Sequence, residues 1–302
     1  MLAKQKNIVP ITALLIGAAI WGVAWYPFRL LEQAGISGEA STVIAYFVAL
    51  LIGIMFFHKQ IRTFNFLDKA AYLLIWIGVC SGIANIAYVL GIIHGEVMRV
   101  LLLFYLAPLW TILFARILLR EKLSLLGYWV ILLSLIGAMT MLWQPEKDFS
   151  FPASYGEWMG LSGGIMFALA NVLVRKDQQH NVQLKSLAIW LGVTLIGFLA
   201  TWSMRSLPLI SSISTDAWLL LLGLGLIIFF LSITLQYGLT HIPANQAIVI
   251  MLFELIVAAI ASYFLANEIM TLKEWIGGLM IVSASFFSAK INHQVPITQQ
   301  TE

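Results

Sequence analysis

Glu254 is the clearest case of an ionisable side chain inside a long apolar run of this sequence. Its neighbours are Leu252, Phe253, Leu255 and Ile256. An ionisable group within hydrocarbon costs about 2.5–3.5 kcal/mol on insertion scales, so its presence needs a functional or structural reason. One interpretation is a carboxylate that binds a cation, an amino group or a proton. The other is a neutral, hydrogen-bonded Glu that locks helix packing.

Neutral polar and aromatic side chains at mid-depth in other apolar runs could complete a binding site around this carboxylate. Several of them are spaced three or four residues apart, which places them on one face of a helix. Amide and hydroxyl groups would bind polar atoms of a ligand, and aromatic faces would bind a cation. With Glu254, the predicted substrate-binding residues are Trp21, Trp25, Asn85, Tyr88, Tyr105, Asn171, Ser232 and Gln236.

Glu96 and Arg99 are two further ionisable residues, near the outer end of another apolar run. Their spacing of three residues fits a local ion pair, and Arg99 could equally recognise a carboxylate. The sequence has no Gly-rich phosphate loop, no GxSxG motif and no HExxH motif. Its only cysteine, Cys80, can form no internal disulfide. We therefore expect neither an enzyme nor a metal site, and no cofactor.

The composition indicates that these residues are held by membrane helices. Of 302 residues, 61% are hydrophobic and 10% are charged, with a mean hydropathy of +0.94. Because a soluble domain typically has about a quarter of its residues charged, a soluble enzyme, a nucleic-acid module and a disordered protein are excluded. Continuous apolar runs favour helices over a barrel. The sequence predicts an all-α integral membrane protein with ten transmembrane helices, at 8–31, 40–57, 70–92, 97–119, 125–143, 156–175, 185–204, 217–239, 243–266 and 273–290.

The chain also contains an internal repeat. A shift of 146 or 147 positions aligns residue types that rarely coincide by chance: Arg29 with Arg175, His94 with His241, and Glu121 with Glu268. The predicted repeats are residues 1–148 and 149–302, with five helices each. Because five is odd, the second repeat must enter the membrane from the opposite side. Two inverted five-helix repeats are typical of alternating-access carriers, although a duplicated helical scaffold is also possible.

The distribution of basic residues predicts the orientation of the chain. With the N-terminus in the cytoplasm, 12 of the 17 Lys and Arg residues lie on the cytoplasmic side and 5 on the outer side. Both termini are therefore expected in the cytoplasm.

Three segments resemble a known family. They are residues 17–29 with Trp21 and Trp25, the fourth run with Pro108 and residues 120–123, and the ninth run from Glu254 to Glu268. Together with the span count and the duplication, they make the chain similar to the EamA family of the drug/metabolite transporter superfamily over residues 10–290. The resemblance implies a bacterial inner-membrane carrier, usually an exporter of small metabolites such as amino acids. Its cavity would be lined by the first, third, fourth, sixth, eighth and ninth spans. The family often has Glu-Pro in the ninth span, where Leu255 follows Glu254 here.

We therefore expect a multi-pass secondary transporter of the inner membrane that exports amino acids or related amine-bearing metabolites by alternating access. The alternatives are a multidrug or organic-cation exporter and a non-transporting membrane scaffold. The expected partners are a small-molecule substrate and the lipid bilayer, without nucleic acid. Protons are a candidate coupling ion.

Overall fold

The structure of the protein is a computed structural model that describes residues 8–65, 70–95, 97–143, 152, 154–204, 213–266 and 271–288. Within these ranges every regular element is a helix, as the sequence predicts. The helices are α1 Ile8–Gln33, α2 Gly38–Phe56, α3 His58–Thr63, α4 Ala71–His94, α5 Val97–Phe104, α6 Ala107–Phe114, a π-helix at Ala115–Leu119, α7 Leu125–Leu142, α8 Tyr155–Lys176, α9 Val182–Met204, α10 Thr215–His241, α11 Ala244–Met251, α12 Phe253–Ala266 and α13 Leu272–Ser288.

Serine side chains begin four of the long helices. Ser37, Ser124, Ser154 and Ser214 each accept a hydrogen bond from the backbone N–H three residues later. Such a cap satisfies one of the N–H groups that the first turn of a helix leaves without a partner. The residues at which α2, α7, α8 and α10 begin are therefore determined by local sequence.

Eight helical segments in the described residues are long and apolar enough to cross a membrane. They are Ile8–Gln33, Gly38–Phe56, Ala71–Ile92, Val100–Leu119, Tyr155–Lys176, Val182–Ser203, Thr215–His241 and Ala244–Leu265. The two other expected spans correspond to shorter apolar helices, Leu125–Met141 and Trp275–Phe287. The chain is thus a multi-pass helical membrane protein.

Two of the runs that we expected to be continuous helices are interrupted. The fourth is broken by a turn at Tyr105 and Leu106, just before Pro108, whose ring nitrogen cannot donate a helical hydrogen bond. It then ends in the π-helix and in Arg120, whose φ of 55° is left-handed. The ninth is broken at Leu252 without any proline. The structure therefore has four half-helices, α5, α6, α11 and α12, where the sequence predicts two helices.

The helices of each half of the chain pack mainly against helices of the other half. Helix α4 packs against α8 and α9, and α10 packs against α1 and α2. The counterpart of α4 in the other repeat is α10, that of α8 is α1, and that of α9 is α2. The two groups of packed helices are therefore equivalent in the two repeats. Likewise, α6 packs against α8 as its counterpart α12 packs against α1. The packing therefore has an approximate twofold relation between the two halves.

Close approaches at glycine give the relative directions of these helices. Gly17 lies against Leu235 and Gly238 lies against Leu14, so α1 and α10 are antiparallel. Gly225 of α10 lies against Val48 of α2, and Phe56 of α2 lies 6.1 Å from Phe229 of α10 between ring centroids, so these two helices are parallel.

The counterpart helices repeat this arrangement. Gly91 lies against Gly160 and Ala84 lies against Gly163, so α4 and α8 are antiparallel. Gly78 and Gly82 both lie against Gly192, and Gly78 also lies against Ala188 while Gly82 lies against Ile196, so α4 and α9 are parallel. Each pair in one group thus has the same relative direction as its counterpart pair.

Candidate substrate site

A cavity of about 220 Å³ lies between the two halves of the bundle. Helices α1, α4, α8 and α10 line it, together with the interruptions of the two broken spans. All nine residues that the sequence singled out as substrate-binding lie on its wall: Trp21, Trp25, Asn85, Tyr88, Tyr105, Asn171, Ser232, Gln236 and Glu254. The structure therefore brings these residues together, and their contact with a substrate stays a prediction.

Glu254 is the only residue with a formally charged side chain on the described wall of this cavity. It is the second residue of α12 and is 7% exposed. The hydroxyl of Tyr105, in the turn between α5 and α6, donates a hydrogen bond of 2.5 Å to its Oε1. Its position in the first turn of α12 favours a negative charge, because the N-terminal end of a helix macrodipole is positive.

Gly22 allows α1 to approach α12 at Glu254. A Cβ on Gly22 would lie 2.7 Å from the carbonyl oxygen of Glu254 and 2.9 Å from Cβ of Val257. Neither neighbour is the end of a flexible side chain, so any larger residue would displace α12. The small residue in α1 thus determines where the carboxylate lies.

Two of the polar groups on the wall are held by aromatic residues that the sequence reasoning missed. The hydroxyl of Tyr46 donates to Oδ1 of Asn85 at 3.1 Å, and the indole N–H of Trp190 donates to Oγ of Ser232 at 2.9 Å. Asn85 and Ser232 are counterparts in the two repeats, and Tyr46 and Trp190 lie on the counterpart helices α2 and α9. A polar tip on Tyr46 in the middle of the second span was the available signal for the first of these bonds.

Other polar atoms on the wall are buried without a hydrogen-bond partner in the described part of the chain. They are Nε1 of Trp25, Nδ2 of Asn171 and Oε1 of Gln236. Because buried polar groups are nearly always hydrogen-bonded, such groups indicate a position for a ligand or water. Trp25 and Asn171 are counterparts in the two repeats and both are donors. The cavity thus offers two neutral donors in addition to the carboxylate of Glu254.

Phe104 forms an aromatic cluster beside Glu254 that the sequence also did not identify. Its ring centroid lies 5.0 Å from that of Tyr88, 5.5 Å from that of Tyr105 and 5.4 Å from that of Phe167. All four rings line the cavity. The faces and edges of such a cluster can bind a cation or an apolar side chain.

Hydrogen bonds join the helix ends next to the cavity, at the end of the bundle that carries Arg116, Arg120, Lys122, Arg175 and Lys176. We call this end the basic end and this set of bonds the closure. Val174 and Leu239 line the cavity, and the residues that follow them, Arg175 and Thr240, are hydrogen-bonded to each other. Nη1 of Arg175 donates to the carbonyl oxygen of Thr240 at 2.6 Å.

Lys185 adds further bonds to this closure. It is fully buried, and its ammonium donates to the carbonyl oxygens of Val174 and Asp177 and, at 3.1 Å, to Oγ1 of Thr240. The ends of α8, α9 and α10 are therefore tied together directly beneath the cavity.

Glu121 joins the first repeat to this closure. Its Oε1 lies 3.8 Å from Nε of Arg175, and the backbone N–H of Ala244 donates to its carboxylate. It therefore caps α11 from the other repeat. Burial raises the pKa of Glu121 above the usual carboxyl value, although Arg175 and the Ala244 amide lower it. The repeat counterpart, Glu268, lies outside the described residues.

The predicted pair of Glu96 and Arg99 has no described side chains. Glu96 is one of the undescribed residues, and Arg99 is described only as part of the backbone of α5. In the described residues no three His, Cys, Asp or Glu side chains are grouped so as to hold a metal ion.

The chain is similar to known transporters over nearly its whole length. The sequence pattern of the EamA-like transporter family matches it twice, at residues 9–143 and 154–289. An uncharacterized transporter of Archaeoglobus fulgidus is 27% identical over 211 residues, which are 70% of this chain and 73% of the relative. The pseudopaline exporter CntI of Pseudomonas aeruginosa strain UCBPP-PA14 is 24% identical over 210 residues, 68% of this chain and 71% of the relative.

A solved crystal structure has the same fold, with a TM-score of 0.72 at 16% identity over 94% of this chain and 97% of the other. The named relatives are transporters and not enzymes, in agreement with the sequence prediction. Because the family pattern covers both halves of the sequence, the chain belongs to the EamA-like transporter family.

Proposed function

We propose that this transporter exports an amino acid or a related amine-bearing metabolite by alternating access. The observation that carries the proposal is the position of Glu254, which is buried on the cavity wall where the interruptions of two broken spans meet. Interrupted helices near the middle of the membrane commonly form the substrate site of secondary transporters.

The chemistry of the cavity suits a small zwitterion. Glu254 would bind the substrate ammonium, and the aromatic cluster around Phe104 would add cation–π contacts. The unpartnered N–H groups of Trp25 and Asn171 would bind the carboxylate. Drug-sized ligands occupy pockets of roughly 300–1,000 Å³. The candidate substrate cavity is smaller, at about 220 Å³. A small metabolite therefore fits better than a multidrug substrate.

We further propose that the protein has ten transmembrane helices in two inverted repeats, residues 1–148 and 149–302. The directions of the helices support this arrangement. Helix α10 is antiparallel to α1 and parallel to α2, α9 is parallel to α4, and α8 is antiparallel to α4. If successive spans alternate in direction, α1 and α4 run the same way and α2 runs the opposite way. Helix α8 then runs opposite to its counterpart α1, and α9 runs opposite to its counterpart α2. Inverted repeats would exchange conformations when the cavity opens to the other side.

The basic end is proposed to face the cytoplasm of a bacterial cell, with the protein in the inner membrane and both termini inside. The positive-inside rule supports this orientation, because Arg116, Arg120, Lys122, Arg175 and Lys176 lie together at this end. The similarity to an exporter supports the direction of transport.

Flux through proteoliposomes tests the proposal directly. Purified protein is reconstituted into proteoliposomes, which are loaded with radiolabelled amino acids or with a quaternary organic cation. The flux of the wild type is then compared with that of Glu254→Gln. We expect flux of an amino acid in the wild type and a strong loss in the variant. Flux of the organic cation alone would favour the multidrug alternative, and the absence of flux for every solute would favour a scaffold.

A further inference from the structure

A second cavity, of about 180 Å³, lies at the basic end and contains none of the nine predicted substrate-binding residues. We call it the basic-end cavity. The π-helix, the turn that follows it, and the beginnings of α7 and α11 form its wall. Its lining residues are Ile112, Arg116, Glu121, Lys122, Leu123, Tyr128 and Asn245. It is therefore separate from the candidate substrate site and needs its own explanation.

Two acceptor oxygens are buried on this wall without a donor. Asn245 is 1% exposed, and its Oδ1 has no hydrogen-bond partner in the described residues. Oε2 of Glu121 is also buried without a partner, while Oε1 of the same carboxylate faces Arg175. Leaving a buried acceptor unpaired costs stability, so the two oxygens favour a ligand that donates hydrogen bonds. An ammonium group with N–H bonds meets this requirement and matches the charge of Glu121.

The other polar residues of the basic-end cavity favour an anionic group. Arg116 and Lys122 are exposed cations, and Tyr128 is also exposed. Guanidinium and ammonium groups bind phosphate strongly. A ligand that satisfies the whole wall therefore has a phosphate at the exposed side and a primary ammonium at the buried side.

Exposed apolar side chains lie next in sequence to residues that line the basic-end cavity. Leu113 and Ile117 directly follow the lining residues Ile112 and Arg116, and Trp129 directly follows Tyr128; all three are exposed. In a membrane protein such a surface contacts lipid chains, and tryptophan favours the headgroup level. The cavity thus lies where a lipid headgroup meets its acyl chains, which favours a membrane lipid over a free solute.

We propose that the basic-end cavity binds the headgroup of an aminophospholipid, with the phosphate at Arg116 and Lys122 and the primary ammonium at Glu121 and Asn245. Phosphatidylethanolamine has this chemistry. Because Glu121 also contacts Arg175 and caps α11, the bound headgroup would stabilise the closed basic end. This site does not depend on which substrate the transporter carries.

Native mass spectrometry of the purified full-length protein tests the proposal with three lipids of matched acyl chains. Phosphatidylethanolamine has ammonium N–H bonds, phosphatidylcholine has a quaternary nitrogen without N–H, and phosphatidylglycerol has no nitrogen. We expect phosphatidylethanolamine to bind about tenfold more tightly than phosphatidylcholine, as the loss of charge-assisted hydrogen bonds implies. Equal binding of these two lipids by the wild type would overturn the proposal.

Variants assign the preference to individual groups. Asn245→Leu and Glu121→Gln should each reduce the ratio of phosphatidylethanolamine to phosphatidylcholine binding toward one. Arg116→Gln with Lys122→Gln should weaken all three lipids together. Arg120→Gln is the control, since Arg120 is an exposed cation of the same turn that does not line the cavity.

Two further results would overturn the proposal. One is an unchanged lipid preference in both Asn245→Leu and Glu121→Gln, as expected if only water occupies the cavity. The other is displacement of phosphatidylethanolamine by free O-phosphoethanolamine at equal concentration, which would make the site one for a solute. Thermal unfolding in detergent checks that each variant is folded.

Discussion

The hydroxyl of Tyr105 donates to Oε1 of Glu254 at 2.5 Å, so the interruption of a span in one repeat is hydrogen-bonded to the interruption of its counterpart in the other. In the proposed alternating-access mechanism, the two repeats would move along a boundary that this bond crosses. A substrate ammonium that binds Glu254 would share its carboxylate with Tyr105. In this mechanism, substrate binding and the relative position of the repeats would be coupled at this hydrogen bond.

Glu254→Gln should reduce amino-acid flux by about tenfold to a hundredfold, because the variant keeps the shape and loses the charge that binds an ammonium. Expression and thermal stability should be maintained. Proteoliposome flux across a pH series measures the effect. Glu39→Gln is a matched control, since Glu39 is a buried carboxylate that does not line the cavity. Normal flux with an unchanged pH profile in Glu254→Gln would remove this residue from the mechanism.

Tyr105→Phe should weaken substrate binding less than Glu254→Gln does, because the ring and the charge remain and only one donor is lost. The net loss of one hydrogen bond corresponds to roughly 0.5–1.5 kcal/mol, or about two- to tenfold in apparent affinity. Concentration dependence of flux would show the change in apparent affinity. In Tyr263→Phe, whose ring is exposed outside the cavity, the same measurement should give wild-type values. Equal effects in the two variants would argue against a role for the Tyr105 hydroxyl.

Gly22→Ala should lower both stability and flux. The added Cβ would lie 2.7 Å from the carbonyl oxygen of Glu254, so α12 must move, at a cost of about 1–3 kcal/mol for an overpacked contact. Gly223→Ala provides the control, because nothing lies within 4 Å of a Cβ there. It should be neutral or stabilising, since alanine is the better helix former. Thermal unfolding of both variants in detergent distinguishes packing at Glu254 from a general effect of alanine, and similar midpoints would contradict the role given to Gly22.

Glu121 should make stability depend on pH in a defined direction. Burial raises its pKa above the usual value near 4.5, against the opposing effects of Arg175 and the Ala244 amide. The folded protein then holds this proton at a pH at which the unfolded chain has released it. The stability contributed by Glu121 is complete below pH 4.5 and is lost as the pH rises through the folded-state value.

Thermal unfolding of the wild type and Glu121→Gln at a series of pH values measures this contribution. The difference in thermal stability between the wild type and Glu121→Gln should decrease as the pH rises from about 4 toward neutrality. An advantage that increases with pH would mean that the Arg175 guanidinium outweighs burial and that the pKa is lowered.

The proposed orientation predicts that alkaline phosphatase fused after Gln300 is inactive, because this enzyme requires an oxidising compartment to form its disulfides. A fluorescent protein at the same position should be fluorescent. Phosphatase activity at the C-terminus would contradict the orientation and would place the basic end outside the cell.

Hydropathy predicted the helix bounds to within a few residues, because burial in lipid requires long continuous apolar runs. The interruptions at Tyr105 and Leu252 could not be predicted in this way, since a single turn does not change the mean hydropathy of a span. Ser232 shows a different limit. It was placed at mid-depth of its span, but its bond to Trp190 comes from the preceding helix of the same repeat, 42 residues earlier. Such pairing depends on how neighbouring helices pack, and that information is not in local spacing.

The packing of each half against the other has a consequence for how the chain is made. Trp190 stacks on Phe57 and Phe229, with centroids 6.5 and 5.3 Å away, so one cluster of rings draws on both repeats. When the ribosome has inserted α1 to α7, Phe57 lacks these partners and faces lipid or another protein. The first half therefore lacks most of its packing partners until the second half has been inserted, so its helices reach their final packing only after the whole chain has been made.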